Sequence, residues 1–292
     1  MGASGISIGL GLGAGRSATS SGHAKPVDSF SNTLSGLLDG TNDHFDPSAT
    51  FTSIWSGSFS ISLWYKAPSS FPAGVDNFLG NDAVVGQGYI EFRYRQTSSS
   101  AAKIELYHGD SYSSSSPYNT YGGETGSILS ANSWHHLVWV ASRPGSGGTT
   151  STLYLNGSSQ TLSAQAGFES SLSNAGGTFG NNTLIGARNN ASSGSGSGEL
   201  FLPGHLDEMA IFNSALSASD VSTIYNSGVP GNLEDLSPSH WWRFGDGTGD
   251  TNSGGGTPAS GDTIGTVADQ SESGNENAVA VNGPTYSDVV KT

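Results

Sequence analysis

Two adjacent carboxylates, Asp207 and Glu208, interrupt the apolar run HLDEMAIF and are the first residues here whose types suggest chemistry. A retaining glycosidase needs two carboxyl groups about 5 to 5.5 Å apart, which on a strand means alternate positions of the form Glu-x-Asp-x-x-Glu. Adjacent strand residues point to opposite faces. Asp207 and Glu208 are therefore expected to be separated, and no catalytic residue and no enzyme are predicted. Trp134-His135-His136 invites a metal reading that fails in the same way, because neighbouring histidines face opposite sides and spacing places no third ligand. The turn Asp39-Gly40-Thr41-Asn42-Asp43 supplies carboxylate and carbonyl oxygens of the kind a hard cation takes. The same acids also suit side-chain turns on their own backbone. Tyr112, Tyr118 and Tyr121 lie among Ser, Asn and Gly, a setting in which rings stack on sugars or on a partner protein while small polar neighbours adapt their hydrogen bonds.

The elements that must position these residues repeat with a period of two. Phe59, Ile61, Leu63 and Tyr65 alternate with Ser58, Ser60 and Ser62; Ile90, Phe92 and Tyr94 alternate with Glu91, Arg93 and Arg95. Both are half-buried strands. Leu153 and Leu155 run into Asn156-Gly157, a dipeptide that tolerates positive φ and marks a hairpin. Leu206, Ala210 and Phe212 face one way and Met209 and Ile211 the other, as in a strand buried within a sandwich. The period then changes. Ser217 and Asp220 form a capping-box pair, Val221, Ile224 and Tyr225 give a narrow apolar face, and Gly228 stands where a helix stops, so one short helix is expected near 217–227. Several strands at short spacing predict an all-β, two-sheet antiparallel sandwich.

Composition narrows the function. The chain has 292 residues, 43 of them Gly, a net charge of −14 and only ten Lys and Arg, which disfavours a phosphate-binding surface and hence nucleic acid. No Cys is present, so neither disulfides nor thiolate metal sites occur. No apolar run of about 18 residues suggests membrane insertion. Residues 1–30 are rich in Gly and Ser. Their start lacks a basic front and a continuous apolar run, so an arm is expected instead of a secretory signal, with Ile6, Ile8, Leu10 and Leu12 poised to add as a strand to a neighbour. Residues 31–231 carry the sandwich. Residues 232–292 form an acidic extension, expected to pack on the sandwich through Trp241, Trp242 and Phe244.

Six blocks in order, LLDGTNDHF, FSISLWYKA, NSWHHLVWVA, TLYLNGSSQ, TLIGARN and FLPGHLDEMAIFNSALSASDVSTIYNSG, resemble the laminin G-like branch of the concanavalin A-like jelly rolls. The resemblance implies the jelly-roll fold and leaves function open, because that fold hosts lectins, hydrolases, adhesion modules and structural proteins. It also implies a structural calcium near the junction of the first and last strands, with Gly40, Asp43 and Asp207 as ligands. The alternative is that these acids cap backbone N–H groups or pair with Arg. The arm, the missing cysteines and the Trp-rich acidic extension are similar to sandwich proteins of bacteriophage particles. The expectation is a non-enzymatic virion structural protein, a head-decoration, tail or fibre component. Its partners would be other virion proteins or its own copies through the arm, with a host glycan as a further contact. The alternative is a secreted or cell-surface, calcium-assisted carbohydrate-binding module, and hence an extracellular location.

Overall fold

The period-two segments pair into two antiparallel sheets. In the computed structural model, which describes residues 30–82, 84–115, 120–143, 149–170, 177–190, 198–272 and 275–292, the first sheet runs β10 (Ser158–Gln160), β9 (Thr150–Leu155), β8 (Trp134–Ser142), β3 (Phe59–Lys66), β15 (Pro203–Phe212), β1 (Ser35–Asp39) and β20 (Thr285–Ser287), with β16 (His240–Trp242) also on β15. The second runs β11 (Ser163–Ala164), β7 (Thr120–Ser130), β6 (Ala101–Gly109), β5 (Tyr89–Ser98), β4 (Val75–Gly80), β12 (Leu184–Ile185), β2 (His44–Asp46), β19 (Ala278–Val281), β18 (Ile264–Val267) and β17 (Thr251–Asn252). On β4 sits β13 (Arg188–Asn189), which carries β14 (Gly198–Glu199). The arm residues Ile6, Ile8, Leu10 and Leu12, and Tyr118, lie outside the described residues.

The expected sandwich is the fold. Phe59, Ile61, Leu63 and Tyr65 from the first sheet meet Phe92, Ile104 and Leu106 from the second in a shared core that also takes Trp139, Leu206, Met209 and Trp242. Asn156 and Gly157 turn the β9–β10 hairpin with φ of 50° and 76°. After the single turn α1 (Thr52–Trp55), helix α2 (Ala218–Tyr225) begins at Ser217, whose side chain accepts from the Asp220 N–H while the Asp220 carboxylate accepts from the Ser217 N–H. It lays Val221 on Val138 and Val140, covering part of the outer face of the first sheet. It ends just before Gly228, at Asn226 in the left-handed region. Residues after 232 join both sheets: β16 on β15, β20 on β1, and β17 to β19 beside β2. Trp241, Trp242 and Phe244 are buried.

One irregularity falls on the adjacent acids. The β15–β3 register shifts between Asp207 and Ala210, and Glu208 sits at φ 47°. That is a β-bulge, an extra residue on one strand that re-aims its side chains.

Candidate functional site: the outer face of the second sheet

Because Ile90, Phe92 and Tyr94 of β5 point into the core, Tyr89, Glu91, Arg93 and Arg95 face outward; on β6 the same rule sends Lys103, Glu105 and Tyr107 out. Cross-strand register then sets Arg93 against Glu105 and Glu91 against Tyr107. Arg93 is the hub. Its Nη1 donates to both Glu91 oxygens at 3.0 Å, its Nε to Glu105 Oε2 at 2.8 Å and its Nη2 to Tyr107 Oη at 2.9 Å. Its guanidinium lies 4.5 Å from the Tyr107 ring centre. Arg95 Nε donates to Glu105 at 2.6 Å, Lys103 Nζ to Glu124 at 2.6 Å, and Tyr89 Oη to Glu91. Arg188 pairs with Glu199 and stands 3.7 Å from Glu91.

These charges balance at depth. Glu91 is fully buried and Glu105 nearly so. Burial by itself would raise the Glu105 carboxyl, but the Arg95 hydrogen bond and the charges of Arg93 and Arg95 outweigh it and hold the group below its ordinary range. Burial pushes Tyr107 up to about 12. Glu105 thus presents a fixed charge and Tyr107 a fixed hydroxyl, suited to orienting a ligand and unsuited to passing protons at neutral pH.

Amides are the part of this face with bonding capacity to spare. Asn77, opposite Arg93 across β4–β5, is buried with neither Oδ1 nor Nδ2 partnered within the protein. A Cβ placed on Gly80 would lie 3.2 Å from Glu91 Cγ and 3.4 Å from Asn77 Oδ1, which sets that amide beside the Glu91 side chain. Gln165 accepts from Tyr107 Oη at 2.6 Å, and its Nε2 is unpartnered. The Tyr112 ring, half-buried, stands 5.8 Å from the Tyr89 ring at 62°; Phe168 lies 4.8 Å from Tyr107. Unpartnered buried amides are costly unless something satisfies them.

The residues singled out from sequence scatter. Tyr112 belongs to this face. Tyr121 does not: β7 already starts at Thr120, and Tyr121 is 6% exposed in the core between the sheets, so the expected loop contact is a packed strand residue. Gly40, Asp43 and Asp207 do not form one donor set. Asp43 Oδ2 accepts the Asp39 N–H at 3.0 Å, and Asp39 Oδ1 accepts from Thr41, Asn42 and Asp43. These are the side-chain turns. Asp39 pairs with Pro203, four residues before Asp207, a separation of about 13 Å at strand rise. Among the described residues no group of three or more His, Cys, Asp or Glu could hold a metal ion.

A regular strand would put Asp207 and Glu208 on opposite faces, and the bulge overturns that expectation. Asp207 pairs with Trp64, whose ring stacks with Tyr225 of α2 on the outer face. Glu208 reaches the same face, accepting from Trp241 Nε1 at 2.6 Å and from Arg243 Nε at 3.0 Å. Both acids are enclosed. Burial first, then the Glu208 charge, raises Asp207 well above the carboxylate range; burial pushes Glu208 up to about 7 against the pull of Arg243. His136 lies on this face too, Nε2 within 3.0 Å of Ser62 Oγ, while His135 bonds the Ser130 backbone. Sequence reasoning misses Glu91, Arg93, Glu105 and Asn77 as site residues. The alternation of acid and base between core residues is visible in the sequence, but the register that joins the strands is not.

Comparison with known proteins agrees on the architecture. The sequence matches the concanavalin A-like lectin/glucanases superfamily over residues 39–222; no curated protein matches. Among solved structures, one from Bacteroides ovatus ATCC 8483, whose name proposes carbohydrate binding, superposes with a TM-score of 0.51 at 17% identity over 88% of this chain, which spans 60% of that protein's length. The carbohydrate-binding module of a Ruminococcus gnavus sialidase gives 0.44 at 14%, covering 65% of this chain and 96% of the module. The enzymatically active domain of bacteriophage CBA120 tailspike protein 2 gives 0.45 at 11%, covering 77% and 35%. With two packed antiparallel sheets and a family match that takes in strands of both, the chain belongs to the concanavalin A-like lectin/glucanases superfamily.

Proposed function

We propose that the chain is a non-enzymatic carbohydrate-recognition protein that binds a saccharide on the outer face of the second sheet. One observation carries this reading: the half-buried Tyr112 ring beside Tyr89, on a face whose charges already satisfy one another. Tyr112 offers a ring for a pyranose face, and the polar side chains of this face offer groups that sugar hydroxyls can meet. A neutral sugar fits best, since every cation on the floor has a carboxylate. The carbohydrate-binding name of the Bacteroides protein is consistent with this reading. Catalysis fits poorly, because Glu105 is held ionised by Arg93 and Arg95 and a glycosidase acid must hold a proton.

A glycan array probed with the full chain tests it. The expected result is a neutral glycan whose signal falls in Tyr112→Ala; a blank array at high protein concentration overturns it. One arm carries calcium and one a chelator, because carboxylate and carbonyl oxygens are the donors a hard cation takes. A virion setting is a separate proposal that rests on the alternation of Ile6, Ile8, Leu10 and Leu12. Deleting residues 1–30 should abolish assembly while glycan binding persists, and unchanged assembly counts against it.

A further inference from the structure

The opposite side of the sandwich carries a second feature that neutral-sugar binding leaves unused. Cross-strand register sets Thr285, Leu37, His205, Lys66 and Trp134 in one row across β20, β1, β15, β3 and β8. All five face outward, since their neighbours Tyr286, Leu38, Leu206 and Tyr65 are core residues. Leu37 is 37% exposed, and Lys66, His205 and Trp134 are half-buried. At strand spacing the row is roughly 19 Å long.

Its chemistry is unlike the rest of the surface. In a chain of net charge −14, the described cations Arg93, Arg95, Lys103, Arg143, Arg188 and Arg243 all hold carboxylates. Among the described residues of the two sheets, Lys66 is the cation with no carboxylate partner. Beside it, the His205 ring lies 6.2 Å from the Trp134 indole and is held through Nδ1 to Ser35 Oγ at 3.1 Å. An aromatic plate, an uncommitted ammonium and a fixed imidazole in one line are the parts that bind a carboxylate-bearing sugar: the ring takes the pyranose face and the ammonium the carboxylate.

We propose that this row binds an acidic, uronate-type saccharide, independently of the site on the second sheet. An acidic peptide fits less well. Extended peptides add to sheet edges through backbone hydrogen bonds, whereas β1, β15, β3 and β8 are interior strands with both neighbours in place.

Calorimetric titration of the full chain with trigalacturonate and with a hyaluronan tetrasaccharide tests it. At least one should bind saturably, weaken as salt is raised, and lose about tenfold or more in affinity in Lys66→Gln and in Trp134→Ala. Tyr112→Ala should leave that affinity unchanged, which separates this proposal from the neutral-sugar reading. Absence of saturable binding by either probe overturns the proposal, as do variants that bind like the native chain. Lys66→Gln alters an outward-facing charge and leaves the core intact, so its result stands even if Trp134→Ala fails to fold.

Discussion

Two of the places where the molecule buries acids treat them oppositely. On the second sheet, Glu91 and Glu105 share Arg93, with Arg95, Lys103 and Arg188 close by. On the first sheet, Asp207 and Glu208 face Asp246 with Arg243 as the charged partner. Cations hold Glu105 of the first group as an anion, with its carboxyl lowered. The second pair is pushed toward its protonated form. Burial is similar in both, so what differs is the supply of cations, and that decides which set can present fixed charge to a ligand. Asp246 is itself engaged, accepting from the backbone of Thr33 and Leu34 at 2.8 and 2.9 Å, so this acidic cluster fastens the start of the described chain to its C-terminal part.

Removing the cation from each group should expose the contrast most strongly. Arg243→Ala leaves buried acids with no compensating charge and should cost about 3–5 kcal/mol at neutral pH. Arg93→Ala should cost less, about 1–3 kcal/mol, because Arg95 and Arg188 remain. Urea unfolding measures both, and equal losses would erase the distinction. Next in size, Tyr121→Ala should cost about 3 kcal/mol as a core truncation, while Tyr112→Ala should leave the unfolding midpoint almost unmoved.

The pH dependence separates the two groups by sign. Glu208 has its folded value raised from 4.5 to about 7, so the folded state binds more protons than the unfolded one in that interval and stability falls as pH rises through it. Glu105 is lowered. Its contribution is present above the unfolded value and is lost as pH falls through the folded one. Unfolding midpoints across pH should therefore decline on both sides of a weakly acidic optimum. Asp207→Asn should flatten the neutral-side decline and leave the acid side alone. A smaller gain, about 1 kcal/mol near pH 7, should accompany it, because a neutral amide replaces an acid whose charged form is penalised there.

Much of the fold was legible because burial writes a period of two into strands and a capping box into helices. The β5 core residues Ile90, Phe92 and Tyr94 and the Ser217–Asp220 cap sit where the pattern put them. The site was less legible. Glu91, Arg93 and Glu105 meet only through the register of β5 on β6, which composition does not specify. The bulge at Glu208 was hidden for a related reason. Period-two reasoning assumes an unbroken ladder, and one non-glycine residue at positive φ reverses which face an acid takes. Tyr121 was misplaced by a boundary, since a strand that already begins at Thr120 turns a loop ring into a core ring.

The proposed sugar recognition by the outer face of the second sheet rests on the Tyr112 ring. The most direct measurement is the dissociation constant of the strongest neutral array glycan for the native chain and for Tyr112→Ala, each checked for an unchanged far-ultraviolet spectrum. The folded variant should bind about tenfold more weakly than the native chain. Native-like affinity would contradict recognition at this face.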